Sequence, residues 1–192
     1  MGKPPKNWPA NVQYIENPVY SKSIPSNVLS VLKTPQPNER GVPIVPTQSN
    51  KWTHIEKITS PGHPAFGQLG LFASKKIPAN TMLLWYIGQV HAEIRDGSDY
   101  DLSLMKTSDG INIGVDAQFM GNEARCINDY RGGVLERPNV AFKEGRTEKG
   151  ELRMSVWTGS RIVTKGEEIL VSYGKGWWLA RQEEAVPRPA QQ

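Results

Sequence analysis

From Lys51 onward, apolar residues fall in short runs divided by Gly, Pro, Asn and Asp. Trp52–Thr59 (WTHIEKIT) alternates loosely and stops at Ser60-Pro61-Gly62. Leu71–Ala73 and Met82–Val90 read as a hairpin-like pair around Lys75–Asn80, with Pro78, Ala79 and Asn80 as the turn. Ile111–Val115 and Asn139–Phe142 are further short strands. In Leu152–Thr158 the alternation is clear: Leu152, Met154 and Val156 share one side, Arg153, Ser155 and Trp157 the other. Glu168–Tyr173 is the last strand. Many short strands, frequent turn signals and little helix predict a mostly β domain over 51–178.

The first 50 residues differ in texture, holding nine of the fifteen prolines. Proline at that density forbids long helices and interior strands, so an extended or partly ordered segment is expected. Ser26–Lys33 (SNVLSVLK) is the exception, a short helix with Ser26 as cap and Val28, Leu29, Val31 and Leu32 as its apolar face. Residues 179–192 read as a short tail after Trp178.

Composition and charge narrow the function. A chain of 192 residues suits one domain with one sizeable core. Its single cysteine, Cys126, excludes an intramolecular disulfide and cysteine-rich zinc sites. The histidines His54, His63 and His91 lack metal-ligand spacing, so no metal is expected. No apolar run approaches the ~20 residues of a membrane helix. The opening MGKPPK has neither a signal peptide's apolar region nor, with Lys6 where Ser or Thr is wanted, a myristoylation pattern; a nuclear or cytoplasmic location is the expectation. Of the net charge of +4, a surplus of three sits in residues 1–50, while residues 51–192 hold eighteen basic against seventeen acidic side chains. That near-neutral part lacks the basic stripe with interleaved aromatics of a nucleic-acid surface, which argues against direct nucleic-acid binding.

Two stretches carry the candidate chemistry. Gly121–Arg131 (GNEARCINDYR) is too polar for an amphipathic helix and too irregular for a strand; taken alone it reads first as a surface connector. Lys165–Trp178 (KGEEILVSYGKGWW) is a turn, a short strand, a Tyr-Gly and two tryptophans. Together they resemble the signature of the SET-domain protein-lysine methyltransferases. Ile113, Val115, Asp116 and Ala117 are similar to that family's Val-Ile-Asp-Ala, and Gly121, Asn122, Ala124, Arg125, Ile127 and Asn128 to its Gly-Asn-x-Ala-Arg-Phe-Ile-Asn. Gly67–Ala73 (GQLGLFA) resembles the loop whose main chain holds S-adenosylmethionine, and Leu84–Gly88 (LWYIG) its aromatic strand. The resemblance covers about Lys51 to Trp178 and implies several small sheets, few short helices and a knot-like threading of the asparagine-rich loop.

By the same resemblance, Tyr173 is the catalytic tyrosine. Gly67, Gln68, Leu69, Gly70, Tyr100, Arg125, Asn128, Asp129, Tyr173, Trp177 and Trp178 are expected to bind the cofactor. Tyr86, Tyr100, Leu102, Tyr130 and Phe142 are expected to wall the substrate channel. Two positions depart from the pattern: Gln68 stands for a glycine, and Asp129 for a histidine. A carboxylate at 129 accepts from the adenine amino group, pairs with the sulfonium region, or marks a weakened site. Cys126 reads as a buried apolar filler.

The function implied is S-adenosylmethionine-dependent N-methylation of a protein or peptide lysine, histone tails leading, with a ribosomal protein or translation factor as the alternative substrate. A non-enzymatic SET-like module that binds peptide or cofactor is the competing class.

Overall fold

The computed structural model of the chain describes residues 2–35, 42–45, 52–131, 135–174 and 177–178. The predicted tail 179–192 lies outside the described residues. Those described hold, in order, β1 (Gln13–Tyr14), β2 (Val19–Tyr20), α1 (Ser26–Lys33), β3 (Thr53–Lys57), β4 (Leu69–Ala73), β5 (Met82–Tyr86), β6 (Gln89–His91), β7 (Asp101–Lys106), β8 (Asn112–Asp116), β9 (Met120–Gly121), a 3-10 turn Glu123–Cys126, β10 (Asn128–Asp129), β11 (Val140–Arg146), β12 (Leu152–Thr158) and β13 (Leu170–Val171). The fold is mostly β, as expected.

Strands this short cannot bury a core alone, and they are gathered into five small sheets. β12 is the centre of an antiparallel sheet ordered β11-β12-β5. Its central place explains why Ser155, on the side opposite the apolar residues, is also buried. The Ser155 hydroxyl donates to Lys143 O and accepts from the Trp157 indole N–H, so burial leaves no unpaired group. A second sheet runs β2-β6-β8-β7, and β3 pairs antiparallel with β4. Leu32, Leu71, Ile77, Ile113, Val156 and Ile169, fully enclosed, come from six separate stretches and meet in one core.

The expected hairpin of Leu71–Ala73 with Met82–Val90 does not form. β4 pairs with β3 instead, and β5 with β12. The reason lies in the linker: Ile77 bridges to Val163, and Asn80 N–H donates to Gly159 O, so 75–80 spans between sheets rather than turning back. The run Met82–Val90 is itself divided at Ile87-Gly88, its two halves serving different sheets. Only glycine fits at the division, because a Cβ on Gly88 would lie 2.3 Å from Asp116 O.

The described part of the proline-rich segment is docked on the domain. β1 pairs in parallel with β9, and β2 in parallel with β6. Asn7 also donates to Ile55 O at 2.7 Å. Helix α1 forms where predicted, but Ser26 is its first helical residue and the cap position is Pro25, with no side-chain cap. Val28 and Leu32 are buried, and Arg146 reaches back to the helix end, donating to Val31 O, Leu32 O and Gly150 O.

Candidate functional site

The polar loop predicted from GNEARCINDYR is where several sheets meet. Asn122 is buried and its amide ties the loop to the end of β5: its carbonyl accepts from Ile87 N–H and its amino group donates to Trp85 O. A 3-10 turn follows, then β10, which runs parallel to β13 with Asn128 opposite Leu170 and Asp129 opposite Val171. This pairing brings Ser172-Tyr173-Gly174 beside the loop. The Tyr173 hydroxyl donates to Ile127 O at 2.8 Å.

A cavity of about 710 Å³ opens against this loop. Gln68, Leu69, Tyr100, Arg125, Asn128, Asp129, Tyr173, Trp177 and Trp178 all line it, gathering nine of the predicted cofactor residues in one place. Gly67 and Gly70 do not line it, yet each shapes it. Gly67 adopts φ +82°, left-handed backbone that favours glycine. Gly70 sits so close to Glu168 that a Cβ would lie 2.9 Å from the Glu168 carboxylate.

A second, narrow space of about 50 Å³ is lined by Tyr86, Asp99, Tyr100, Asp101, Leu102, Arg125, Ile127, Phe142, Tyr173 and Trp177. Four of the five predicted channel residues are among them. The fifth, Tyr130, lines neither space; its N–H bonds Val171 O and its ring lies under the Arg131 guanidinium at 4.8 Å. Adjacency to the signature made Tyr130 a candidate, but the strand pairing of β10 turns it away. Tyr86 and Phe142 meet edge to face, as do Tyr173 and Trp177. The two spaces share Asp99, Tyr100, Arg125, Tyr173 and Trp177, so Tyr173 stands at their junction.

Electrostatics at the junction follow from burial. Burial, reinforced by Asp129 nearby, pushes the Tyr173 phenol well above its ordinary range, and burial does the same to Tyr86, whose hydroxyl donates to Tyr100 O. Both therefore remain hydroxyls at neutral pH. Burial also pushes the Cys126 thiol up to about 11, which leaves it un-ionised and a poor nucleophile. Arg125 stacks on Tyr100 at 4.1 Å while its Nε–H donates to Ala117 O, placing a fixed cation beside both spaces.

Asp129 is fully engaged. Its carboxylate accepts from Tyr173 N–H at 2.6 Å and from Arg131 N–H at 2.8 Å, and it pairs with the Arg131 guanidinium at 3.0 Å. Each oxygen already accepts two bonds, which leaves no vacancy for an adenine amino group and no unbalanced charge for a sulfonium. The departure from histidine therefore serves to tie β10 to the chain around Tyr173.

A match to the SET domain family spans residues 68–174, more than half of the chain. The chain belongs to the SET-domain family. SET domains are protein-lysine methyltransferases as a group. Its fold resembles the crystal structure of ATXR5 in complex with mono-methylated histone H3.1, at TM-score 0.61 and 15% identity, over 86% of this chain and 82% of that one. No curated protein matches it at a significant level.

Within this SET domain, the structure adds residues that the signature did not supply. Pro9, Asn11 and Val12 of the docked N-terminal segment, His63 with Pro64 and Ala65, Gln118 with Phe119, and Arg131 all line the large cavity. Arg131 closes the GNEARCINDYR stretch, the others fall in no matched motif, and the N-terminal three are brought there by the pairing of β1 with β9. The histidines each have a protein partner: His54 with Ser74 and Glu56, His63 with Glu168, His91 with Asp101. Among the described residues no group of three or more His, Cys, Asp or Glu converges, and no helix is long and apolar enough to cross a membrane.

Proposed function

We propose that this chain is an S-adenosylmethionine-dependent protein-lysine N-methyltransferase, the larger space taking the cofactor and the narrow aromatic one the target side chain. One observation carries the reading: a cavity of about 710 Å³ and one of about 50 Å³ meet at a half-buried tyrosine whose hydroxyl is anchored on Ile127 O. The larger lies within the ~300–1,000 Å³ range of small-molecule sites, and it offers aromatic faces, a guanidinium and amide groups suited to a nucleoside bearing an amino acid. The smaller admits a slim aliphatic stem and little else.

When bound, S-adenosylmethionine supplies an electrophilic methyl group on a cationic sulfur. What the protein must do is deliver a neutral amine in line with it. A free lysine has a pKa of ~10.4, so the ammonium has to be disfavoured. The walls of Tyr86, Phe142 and Leu102 exclude water from the stem, and the Arg125 guanidinium adds like charge; both effects lower the amine's pKa. Asp101 also borders the narrow space, but its carboxylate is held by His91 at 2.9 Å. Tyr173 stays protonated at neutral pH with its O–H committed to Ile127 O, so it does not take the amine's proton, which leaves to solvent before transfer. The Tyr173 hydroxyl, anchored on Ile127 O, orients the reacting groups through its remaining lone pairs.

Histone tails are the leading substrate class, supported by the resemblance in fold to a protein solved with histone H3.1; a nuclear location goes with that substrate. Calorimetric titration with S-adenosylmethionine, repeated on Asn128→Ala, is the direct test. Micromolar binding by the native chain, lost in the variant, is expected. Absence of binding by the native chain, with or without a histone peptide, would sink the enzymatic reading in favour of a peptide-binding module. Tyr173→Phe is expected to lower kcat by about 10²-fold, as loss of one pre-organised hydroxyl does, with an unchanged melting temperature. A rate unchanged in that variant removes Tyr173 from the mechanism.

A further inference from the structure

Asn128 is more constrained than its place in the signature requires. Its amino group donates to Leu69 O at 3.2 Å and to Glu168 Oε1 at 3.0 Å. With both N–H bonds committed, turning the amide over would set its carbonyl oxygen against two acceptors. Oδ1 is therefore the atom left to serve the large cavity, which Asn128 lines. Glu168 is buried, and its other oxygen meets His63 Nε2 at 3.0 Å. The His63 ring is fixed in turn: Nδ1 accepts from Ala65 N–H at 3.0 Å, which leaves the ring proton on Nε2 to be donated to Glu168. Its side chain is only 8% exposed.

We infer that His63 is a positioning residue for the cofactor site, acting through Glu168 to hold the Asn128 amide with its oxygen presented to an N–H donor, such as the ammonium of the cofactor's amino-acid end. The relay His63–Glu168–Asn128 joins three distant stretches: the loop between β3 and β4, the approach to β13, and β10. Without the histidine donor, the Glu168 carboxylate is free to rotate and to let the amide turn over. The effect reaches cofactor binding and not the methyl-transfer step, because neither His63 nor Glu168 borders the narrow space.

This inference rests on the cofactor assignment above, and the experiment separates the two. Calorimetric titration with S-adenosylmethionine and steady-state kinetics are run on the native chain and on His63→Leu, His63→Gln and His63→Asn. Glutamine keeps an N–H donor at the reach of Nε2 but loses the acceptor for Ala65; asparagine keeps that acceptor but not the donor. Leucine and asparagine are expected to weaken cofactor binding about tenfold, the effect of one lost hydrogen bond, and to raise the cofactor KM equally with kcat and peptide KM unchanged. Glutamine is expected to remain within about twofold of native. Equal affinity in all variants, or rescue by asparagine instead of glutamine, overturns the relay and leaves His63 a turn residue. Should leucine prevent folding, the glutamine and asparagine pair decides alone. A native chain that binds no cofactor overturns the cofactor assignment and the relay with it.

Discussion

The Tyr173 hydroxyl shows how one side chain's surroundings choose between chemistries. A phenol in water is a feasible base near its own pKa, but here burial raises it and the O–H is committed to Ile127 O. The same residue type at Tyr86 is committed to Tyr100 O. The side chains matching the family signature were readable in the sequence because Arg125, Asn128 and Tyr173 sit in local motifs. His63 was not, since its partner Glu168 is 105 positions away and nothing nearby distinguishes it. Asp129 was readable as a departure, but its meaning was not: Arg131, which neutralises it, is two residues away, yet the Tyr173 N–H it accepts comes from a strand pairing the sequence does not reveal. Its role yields a prediction: Asp129→Ala leaves Arg131 unpaired and the Tyr173 N–H without an acceptor. A loss of about 2–3 kcal/mol in chemical denaturation is expected, with cofactor affinity falling as the junction loosens; unchanged stability would show the ion pair to be dispensable.

Among the elements, α1 and the turn before β13 show how end groups are satisfied. No side-chain cap serves the start of α1, whereas its end receives the buried Arg146 guanidinium on Val31 O and Leu32 O. Arg146→Met keeps the stem but removes those donors, and a cost of about 2–4 kcal/mol is expected in urea denaturation. The turn ahead of β13 is held by Glu167. Burial works against its ionisation, but the Arg161 guanidinium, Asn139 and Thr164 all donate to the carboxylate and bring its pKa down to about 2. Being depressed below the unfolded value of ~4.3, this group stabilises the fold above that value, and its contribution is lost as pH falls toward 2. Glu167→Gln is accordingly expected to be destabilising at pH 7 and nearly neutral at pH 2, read from denaturation midpoints at both. Strand alternation predicted β12 to the residue, while the hairpin expected around Lys75–Asn80 failed because that linker is bonded to 159–163. Local pattern gives an element's existence; its partner depends on contacts made by the segments between.

For the molecule as a whole, composition and periodicity gave the mostly β class, and the family signature gave the junction, but neither revealed that the proline-rich start is part of the cavity wall. Parallel pairing of β1 with β9 is invisible to local pattern, because parallel partners are remote in sequence by necessity. The pairing makes the large cavity a composite of Pro9, Asn11 and Val12 with residues from the loop before β4, the segment before β7, the approach to β9, the asparagine-rich loop and the stretch after β13. That dispersion has a consequence for synthesis. A chain leaving the ribosome has its first cavity residues exposed long before the tyrosine and tryptophans of its final wall are made. No ligand can find its site on the growing chain, and the N-terminal segment must wait, unpaired, until β9 has emerged. The binding site is thus completed only once Trp178 has been made.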